Sequence, residues 1–237
     1  MIHSKKISVL LFITALFFSE KLAGADLLPG SGYNNFKVFS MEHGLPQSSI
    51  FCILQDKRGY LWVGTEGAGV CRFDGRTFKT FSNKHGLAGN TVRCLLEDSR
   101  GYIWIGSDKG LTWYDGFLFH ILTNQNGLSG STVLSLLEDS QHNIWAGTND
   151  GGVNKISFSK NDSVKIKPIT MNDGLTSDFI FDLFEDPRHR IWLGTLNGGL
   201  NIISFDKNEY TIAVLRKDDQ IPSDQIITME ADKEGNL

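Results

Sequence analysis

The side chains of this chain that could do chemistry recur at fixed intervals. Asp56, Asp98, Asp139 and Asp186 each stand six residues before a tryptophan. Repeated aspartates raise the question of calcium, which needs several oxygen ligands converging on one point. Here each copy supplies one, beside a turn, and an aspartate in that place accepts backbone N–H bonds. His43 and His85 fill one loop position, taken by Asn126 and Asp173 further along. All four suit a turn. His142 and His189 sit three residues before a tryptophan, where other copies carry Gly59, Gly101 and Gly235. Histidine is somewhat tolerant of positive φ, so a turn role is expected there too. Turns of neighbouring copies are expected to lie too far apart to share a metal.

Cys52 and Cys94 are 42 residues apart, and Ser135 and Asp182 fill the same place later in the chain. With Cys71 the count is three, which gives no disulfide framework. A small residue on an inner strand is expected, with a disulfide or metal pair as the alternative. No Gly-rich phosphate loop, kinase signature or H-E-x-x-H is present. The sequence therefore nominates no catalytic residue, no metal ligand and no cofactor, and the glycines are read as turn residues.

What positions these side chains is a repeat. Leu61-Trp62-Val63-Gly64-Thr65 recurs as Ile103-Trp104-Ile105-Gly106-Ser107, Ile144-Trp145-Ala146-Gly147-Thr148 and Ile191-Trp192-Leu193-Gly194-Thr195. A Gly-Leu pair starts 18 residues before each tryptophan, at Gly44, Gly86, Gly127 and Gly174. The tryptophan spacings are 42, 41 and 47, in the range of propeller blades. Within the first copy, Ser48 to Gln55, Tyr60 to Thr65, Val70 to Phe73 and Thr77 to Phe81 read as strands with period two. The intervening Asp56-Lys57-Arg58-Gly59, Glu66-Gly67-Ala68-Gly69 and Asp74-Gly75 read as turns. Copies three and four are expected to lengthen the last turn, around Ser159–Ser163 and Asp206–Asn208.

The fold expected is all-β: a β-propeller of four-stranded antiparallel blades, incomplete, with four blades plus part of a fifth. The blades fall at about 48–81, 90–123, 131–170 and 178–215, with a partial one at 225–237. The tryptophan of each copy, and the leucine of each Gly-Leu pair, should pack between neighbouring blades. Register calls for a tryptophan at position 238, one past the last residue, so the chain reads as the N-terminal piece of a longer protein. Phe36-Lys37-Val38-Phe39 matches a fourth strand and would complete the last blade of a closed propeller, removing an open edge.

Residues 1–25 read as a secretory signal peptide: a basic start, an apolar run from Ile7 to Ser19, and Ala23-Gly24-Ala25 before the cut. Removing them takes away three lysines and one glutamate, so the net charge moves from −4 to −6. That balance argues against a nucleic-acid surface.

In a blade of this plan, the turns between second and third strands share one face with the blade-to-blade loops. Glu66, Asp108, Lys109, Asn149, Asp150 and Asn197 lie in those turns and differ between copies. They are the candidate ligand-binding residues, near the start of the third strand and facing the central channel, where converging polar groups suit a sugar.

The order F-x-x-F, G-L, an inner strand ending Glu-Asp, I-W-I-G-T, then G-G-L resembles the two-component regulator propeller repeat. It is carried by Leu96-Glu97-Asp98, Leu137-Glu138-Asp139, Phe184-Glu185-Asp186 and Gly198-Gly199-Leu200. The first copy departs with Gln55 for Glu. A fifth departs with Gln220-Ile221 for Gly-Leu and Ala231-Asp232 for Glu-Asp. The resemblance implies the periplasmic sensing region of a hybrid two-component sensor, with two propellers, an immunoglobulin-like linker, a membrane helix and a kinase output lying beyond residue 237. It also implies an oligosaccharide ligand, a homodimer and anchoring to the membrane through those later parts. Two other classes remain in view: an exported propeller enzyme of the lyase kind, and a secreted adhesion scaffold.

Overall fold

The computed structural model describes residues 37–159, 163–206, 209–219 and 221–232. Residues 1–36, including the segment read as a signal peptide, and the last five residues lie outside them. Sixteen strands form four antiparallel sheets of four, each a simple meander in chain order. The first sheet is β1 (Ile50–Gln55), β2 (Leu61–Thr65), β3 (Val70–Phe73) and β4 (Phe78–Phe81). The second is β5 (Val92–Glu97), β6 (Ile103–Ser107), β7 (Gly110–Tyr114) and β8 (Phe119–Leu122). The third is β9 (Val133–Glu138), β10 (Ile144–Thr148), β11 (Val153–Phe158) and β12 (Val164–Ile169). The fourth is β13 (Ile180–Glu185), β14 (Ile191–Thr195), β15 (Leu200–Asp206) and β16 (Glu209–Leu215). The opening strands β1, β5, β9 and β13 are the ones that meet from sheet to sheet, so they lie innermost. This is the β-propeller the repeat implied, with four blades in the described residues.

The apolar core is not inside any one sheet but between sheets. One cluster joins Trp62, Val70 and Phe81 of the first blade to Val92, Ile103 and Ile105 of the second, with Leu87 of the connecting loop. A second joins Trp104, Leu111 and Leu122 to Leu128, Val133, Ile144 and Ile156. A third joins Trp145, Val153 and Ile169 to Leu175, Ile180, Ile191 and Ile203. Each interface therefore takes one tryptophan and one Gly-Leu leucine, as expected. Trp62, Trp104 and Trp145 are fully buried, and removing so large an inter-blade side chain costs about 3–5 kcal/mol.

The glycine two residues after each tryptophan corrects the reading of glycines as turn residues. Gly64, Gly106, Gly147 and Gly194 lie in strands, and none has a positive φ. A Cβ on Gly64 would overlap Cys52 Sγ and come within 2.7 Å of Val92 Cγ1 in the next blade. Gly106 meets Val133 in the same way, Gly147 meets Ile180, and Gly194 meets Ile226. The glycine is the hole into which the next blade inserts an aliphatic side chain. Ile226 takes that place for residues following the fourth blade, and Met229 N–H donates to Asp182 Oδ2 at 2.7 Å.

The longer period of the fourth copy also has a different source from the one expected. β15 and β16 have seven residues each and pair as far as Asp206 and Glu209. The extra residues extend the outer hairpin instead of loosening its turn. In the third copy the joining residues 160–162 lie outside the described set.

The loops between blades share one construction. Each begins with a single 3-10 turn, Met41–His43, Asn83–His85, Asn124–Asn126 or Met171–Asp173, closed by a glycine at φ between +93° and +107°. Ser40 N–H donates to His43 Nδ1, Ser82 N–H to His85 Nδ1 and Thr170 N–H to Asp173 Oδ2. Thr123 N–H does the same to Asn126 Oδ1. The column asks for a short side-chain acceptor, and histidine, asparagine and aspartate all supply one.

Candidate functional site

Two faces of the blades carry polar groups, and their geometry assigns them different work. On the first, the turns between first and second strands, Asp56 Oδ1 accepts from Arg58 and Tyr60 N–H, while Oδ2 accepts the Trp62 indole N–H at 2.8 Å. Asp98 with Trp104, Asp139 with Trp145 and Asp186 with Trp192 repeat the indole bond at 2.8–3.0 Å. The aspartates cap turns as expected. Their six-residue offset from tryptophan, which sequence reasoning left unexplained, is a second bond that holds the indole in the interface. Burial pushes the Asp186 carboxyl up, but donation from Arg190, Trp192 and Arg188 outweighs it and leaves the group below the usual carboxylate range.

On the same face the glutamate before Asp98, Asp139 and Asp186 reaches the preceding blade. Glu138 accepts Ser99 N–H at 2.8 Å and Oγ–H at 2.6 Å, and Glu185 does the same with Ser140. Glu97 accepts Lys57 N–H at 2.8 Å. His142 and His189, at φ +63° and +60°, place Nδ1 at 3.0 and 2.8 Å from the same serine hydroxyls. Neighbouring turns are thus joined, contrary to the expectation that they lie well apart. A serine–histidine–acid relay sets the imidazole between hydroxyl and carboxylate, one on each nitrogen. Here Ser Oγ, Glu Oε1 and the imidazole all meet at Nδ1, so the cluster clamps two blades and has no relay geometry. Among the described residues no three His, Cys, Asp or Glu side chains come together in metal-binding geometry.

The cysteines serve packing. All three are free. Cys52 and Cys94 sit on inner strands with Sγ 3.9 and 3.8 Å from the Val92 and Val133 carbonyls of the next blade. Burial pushes the Cys52 thiol up to about 12, and Cys71 to about 11, each against an opposing backbone hydrogen bond. Neither is a thiolate at neutral pH, so neither is a nucleophile.

The opposite face holds the turns between second and third strands and the blade-to-blade loops. The closing Thr or Ser of each tryptophan motif caps this turn: Thr65 Oγ–H donates to Gly69 O at 2.7 Å, and Thr148 to Gly152 O at 2.9 Å. Asp108 Oδ1 accepts Thr91 N–H, and Asp150 Oδ1 accepts Ser131 N–H, each tying the turn to the loop entering its own blade. Glu66, Lys109 and Asn197 are exposed, and Asn197 holds φ +61°. Asn149 is half-buried, and its Oδ1 is buried with no hydrogen-bond partner among the described residues. The six candidates therefore share this face, with two of them committed to backbone caps.

Sequence reasoning missed a ring beside them. Each inner strand carries a β-bulge at its start, between Ile50 and Cys52, Val92 and Cys94, Val133 and Ser135, and Ile180 and Asp182. The skipped residues are Phe51, Arg93, Leu134 and Phe181. A bulge breaks strict alternation and re-aims its side chain, which is why such features gather at binding sites. All four lie at the same level of the innermost strands, on the end nearest the turns that hold the six candidates. Phe51 is 39% exposed, with the Arg93 guanidinium over its ring at 4.5 Å. Phe181 packs against Phe179 with ring centroids 4.6 Å apart. The available signal was a column of unlike residues immediately beside a column of uniform ones.

A family model described as the two component regulator propeller matches residues 44–67, 86–109, 127–150 and 174–197. The chain carries four two-component regulator propeller repeats. Every match runs from the loop glycine, through the inner strand, to the turn after the tryptophan strand. The outer two strands fall outside all four matches, consistent with their varying length. Among solved structures, the propeller is similar to the extracellular domain of BT3049 from B. thetaiotaomicron, described as a hybrid two component system, at 26% identity and TM-score 0.57. That likeness covers 71% of this chain and 23% of that one. BT4673 of the same organism, whose extracellular domain is described as part of a one component system, gives 20% identity and TM-score 0.62 over 79% and 28% of the two chains. Virginiamycin B lyase from Staphylococcus aureus gives 13% and 0.53 over 71% and 56%. The last two, by their identity, show the fold alone. The chain spans about a quarter of the length of the two B. thetaiotaomicron chains. No curated protein sequence matches it.

Proposed function

We propose that this propeller is the ligand-sensing part of a hybrid two-component sensor, held in the periplasm, and that it reads oligosaccharides without making or breaking bonds. The observation that carries the reading is the ring of bulged inner-strand residues, Phe51, Arg93, Leu134 and Phe181, opening beside six polar turn residues of varied type. Aromatic rings suit the apolar faces of sugars, and the polar turns suit their hydroxyls. Asn149 Oδ1 offers a buried acceptor. BT3049, whose extracellular domain this propeller resembles, supports placement outside the cytoplasm. Among the described residues no helix is long and apolar enough to cross a membrane. Signalling then requires a ligand that binds two states of a homodimer unequally.

The test is genetic. With the gene deleted in its host and cultures moved onto single purified polysaccharides, transcriptional induction should be lost for one polysaccharide class and restored by the intact gene. An unchanged response to every polysaccharide sinks the reading.

A further inference from the structure

The inner ring contains one charge. Arg93 occupies the bulge position that Phe51, Leu134 and Phe181 hold in the other three blades, and its side chain is exposed. It makes no ion pair and donates no side-chain hydrogen bond among the described residues; its contact is the face of Phe51, 4.5 Å from the guanidinium carbon. Three carboxylates of this face are otherwise engaged, and the exposed Glu66 makes no ion pair with Arg93 among the described residues. Asp108 and Asp150 accept backbone N–H groups, and Asp182 accepts Met229 N–H and the Thr228 hydroxyl. Blade two also supplies Lys109, exposed in the adjacent turn.

A guanidinium seated over an aromatic ring, with no ion pair, keeps the donors of its edge free. That edge matches two oxygens of a carboxylate or sulfate at once. The ring around it is apolar, so a charge pair formed there is less screened than on open surface. The chain as a whole is negative, at −4, which disfavours indiscriminate binding of polyanions. Selection must then come from one placed cation, not from a basic field.

We propose that Arg93 is a specificity-determining residue and that the sensed oligosaccharide is acidic, bearing a uronate carboxylate or a sulfate. The anion seats on the Arg93 fork, with Lys109 contributing from the rim, while Phe51 and the Phe179–Phe181 pair receive the apolar faces of neighbouring sugar rings. This rests on the sensing reading above and narrows its ligand.

The experiment exposes the complete encoded protein to an array of neutral, uronate-bearing and sulfated oligosaccharides, then titrates each bound glycan against wild type, Arg93→Gln and Arg93→Lys. The bound glycans should be acidic. Arg93→Gln should weaken them about tenfold or more, as loss of a charged hydrogen-bonding group does. Arg93→Lys, which keeps the charge and loses the fork, should fall between. Methyl-esterifying a bound uronate should match the Arg93→Gln loss; a bound sulfated glycan should lose as much on desulfation, and the two arms tell which anion is read. Binding of neutral glycans alone overturns the inference and leaves oligosaccharide sensing standing. So does an acidic glycan that binds Arg93→Gln as well as wild type. Binding of no glycan overturns both.

Discussion

Two columns of residues circle this propeller one position apart, and they have opposite characters. Ile50, Val92, Val133, Ile180 and Ile226 are all β-branched aliphatics. Val92, Val133, Ile180 and Ile226 each enter the notch left by a glycine in the preceding blade. Beside them, Phe51, Leu134, Phe181 and Ile227 are apolar but of different shapes, and Arg93 carries a charge. The first column faces a neighbour close enough that one added carbon would collide. The second column is thrown out of register by the bulge: its first four members are the bulged residues, and Phe51, Arg93 and Ile227 are exposed. Packing fixes residue type where a side chain has a partner of defined shape, and leaves it free where no such close partner stands.

The comparison breaks most clearly at the interfaces. Trp104→Ala should destabilise the protein by about 3–5 kcal/mol in denaturant titration, since it empties the contact between blades two and three. A cost below about 1 kcal/mol would mean that the blades stand independently. Next in size is Gly106→Val, which drives a side chain into Cys94 Sγ and Val133. It should cost about 1–3 kcal/mol despite adding apolar surface, and a neutral result would show the notch to be unfilled.

A smaller effect sharpens the rim. Donation from the His120 ring, then from Leu118 and Phe117 N–H, holds the Asp115 carboxyl down at about 2. A carboxyl lowered on folding stabilises above its unfolded pKa, near 3.9, and loses that contribution as pH falls through about 2. Asp115→Asn should therefore lower the melting temperature by about 1–3 °C at neutral pH. The gap to wild type should close as pH falls from 4 towards 2, in thermal scans across that range; a constant gap would contradict it. Smallest of all, Arg93→Gln should change stability by no more than about 0.5 kcal/mol, read in the same denaturant titration. A larger loss would move Arg93 from the ligand's column to the structure's.

Much of the fold was legible because the repeat is enforced by packing. Tryptophan, its aspartate and the Gly-Leu pair keep fixed offsets since each touches the others or the next blade. The glycine of the tryptophan motif was misjudged because glycine in a sequence signals a turn and a close approach alike. Only the Val92 methyls beside Gly64 tell the two apart. The lengthened fourth hairpin was misplaced because a polar pair such as Asp206 and Asn208 looks like an extended loop, while the pairing of Phe205 with Tyr210 carries the strands through. The polar turns of the candidate face were found from topology. The ring was not, because a bulge leaves no mark in one strand's alternation until its partner strand is known.

The most direct measurement is amide hydrogen exchange on the complete encoded protein, with and without the glycan it binds best. The expected result is added protection at residues 49–53, 91–95, 132–136 and 179–183 and in the turns bearing Asp108, Asn149 and Asn197. The turns of Asp56, Asp98, Asp139 and Asp186 should exchange as before. Protection confined to those aspartate turns, with the inner strands unchanged, would contradict the division of labour between the two faces.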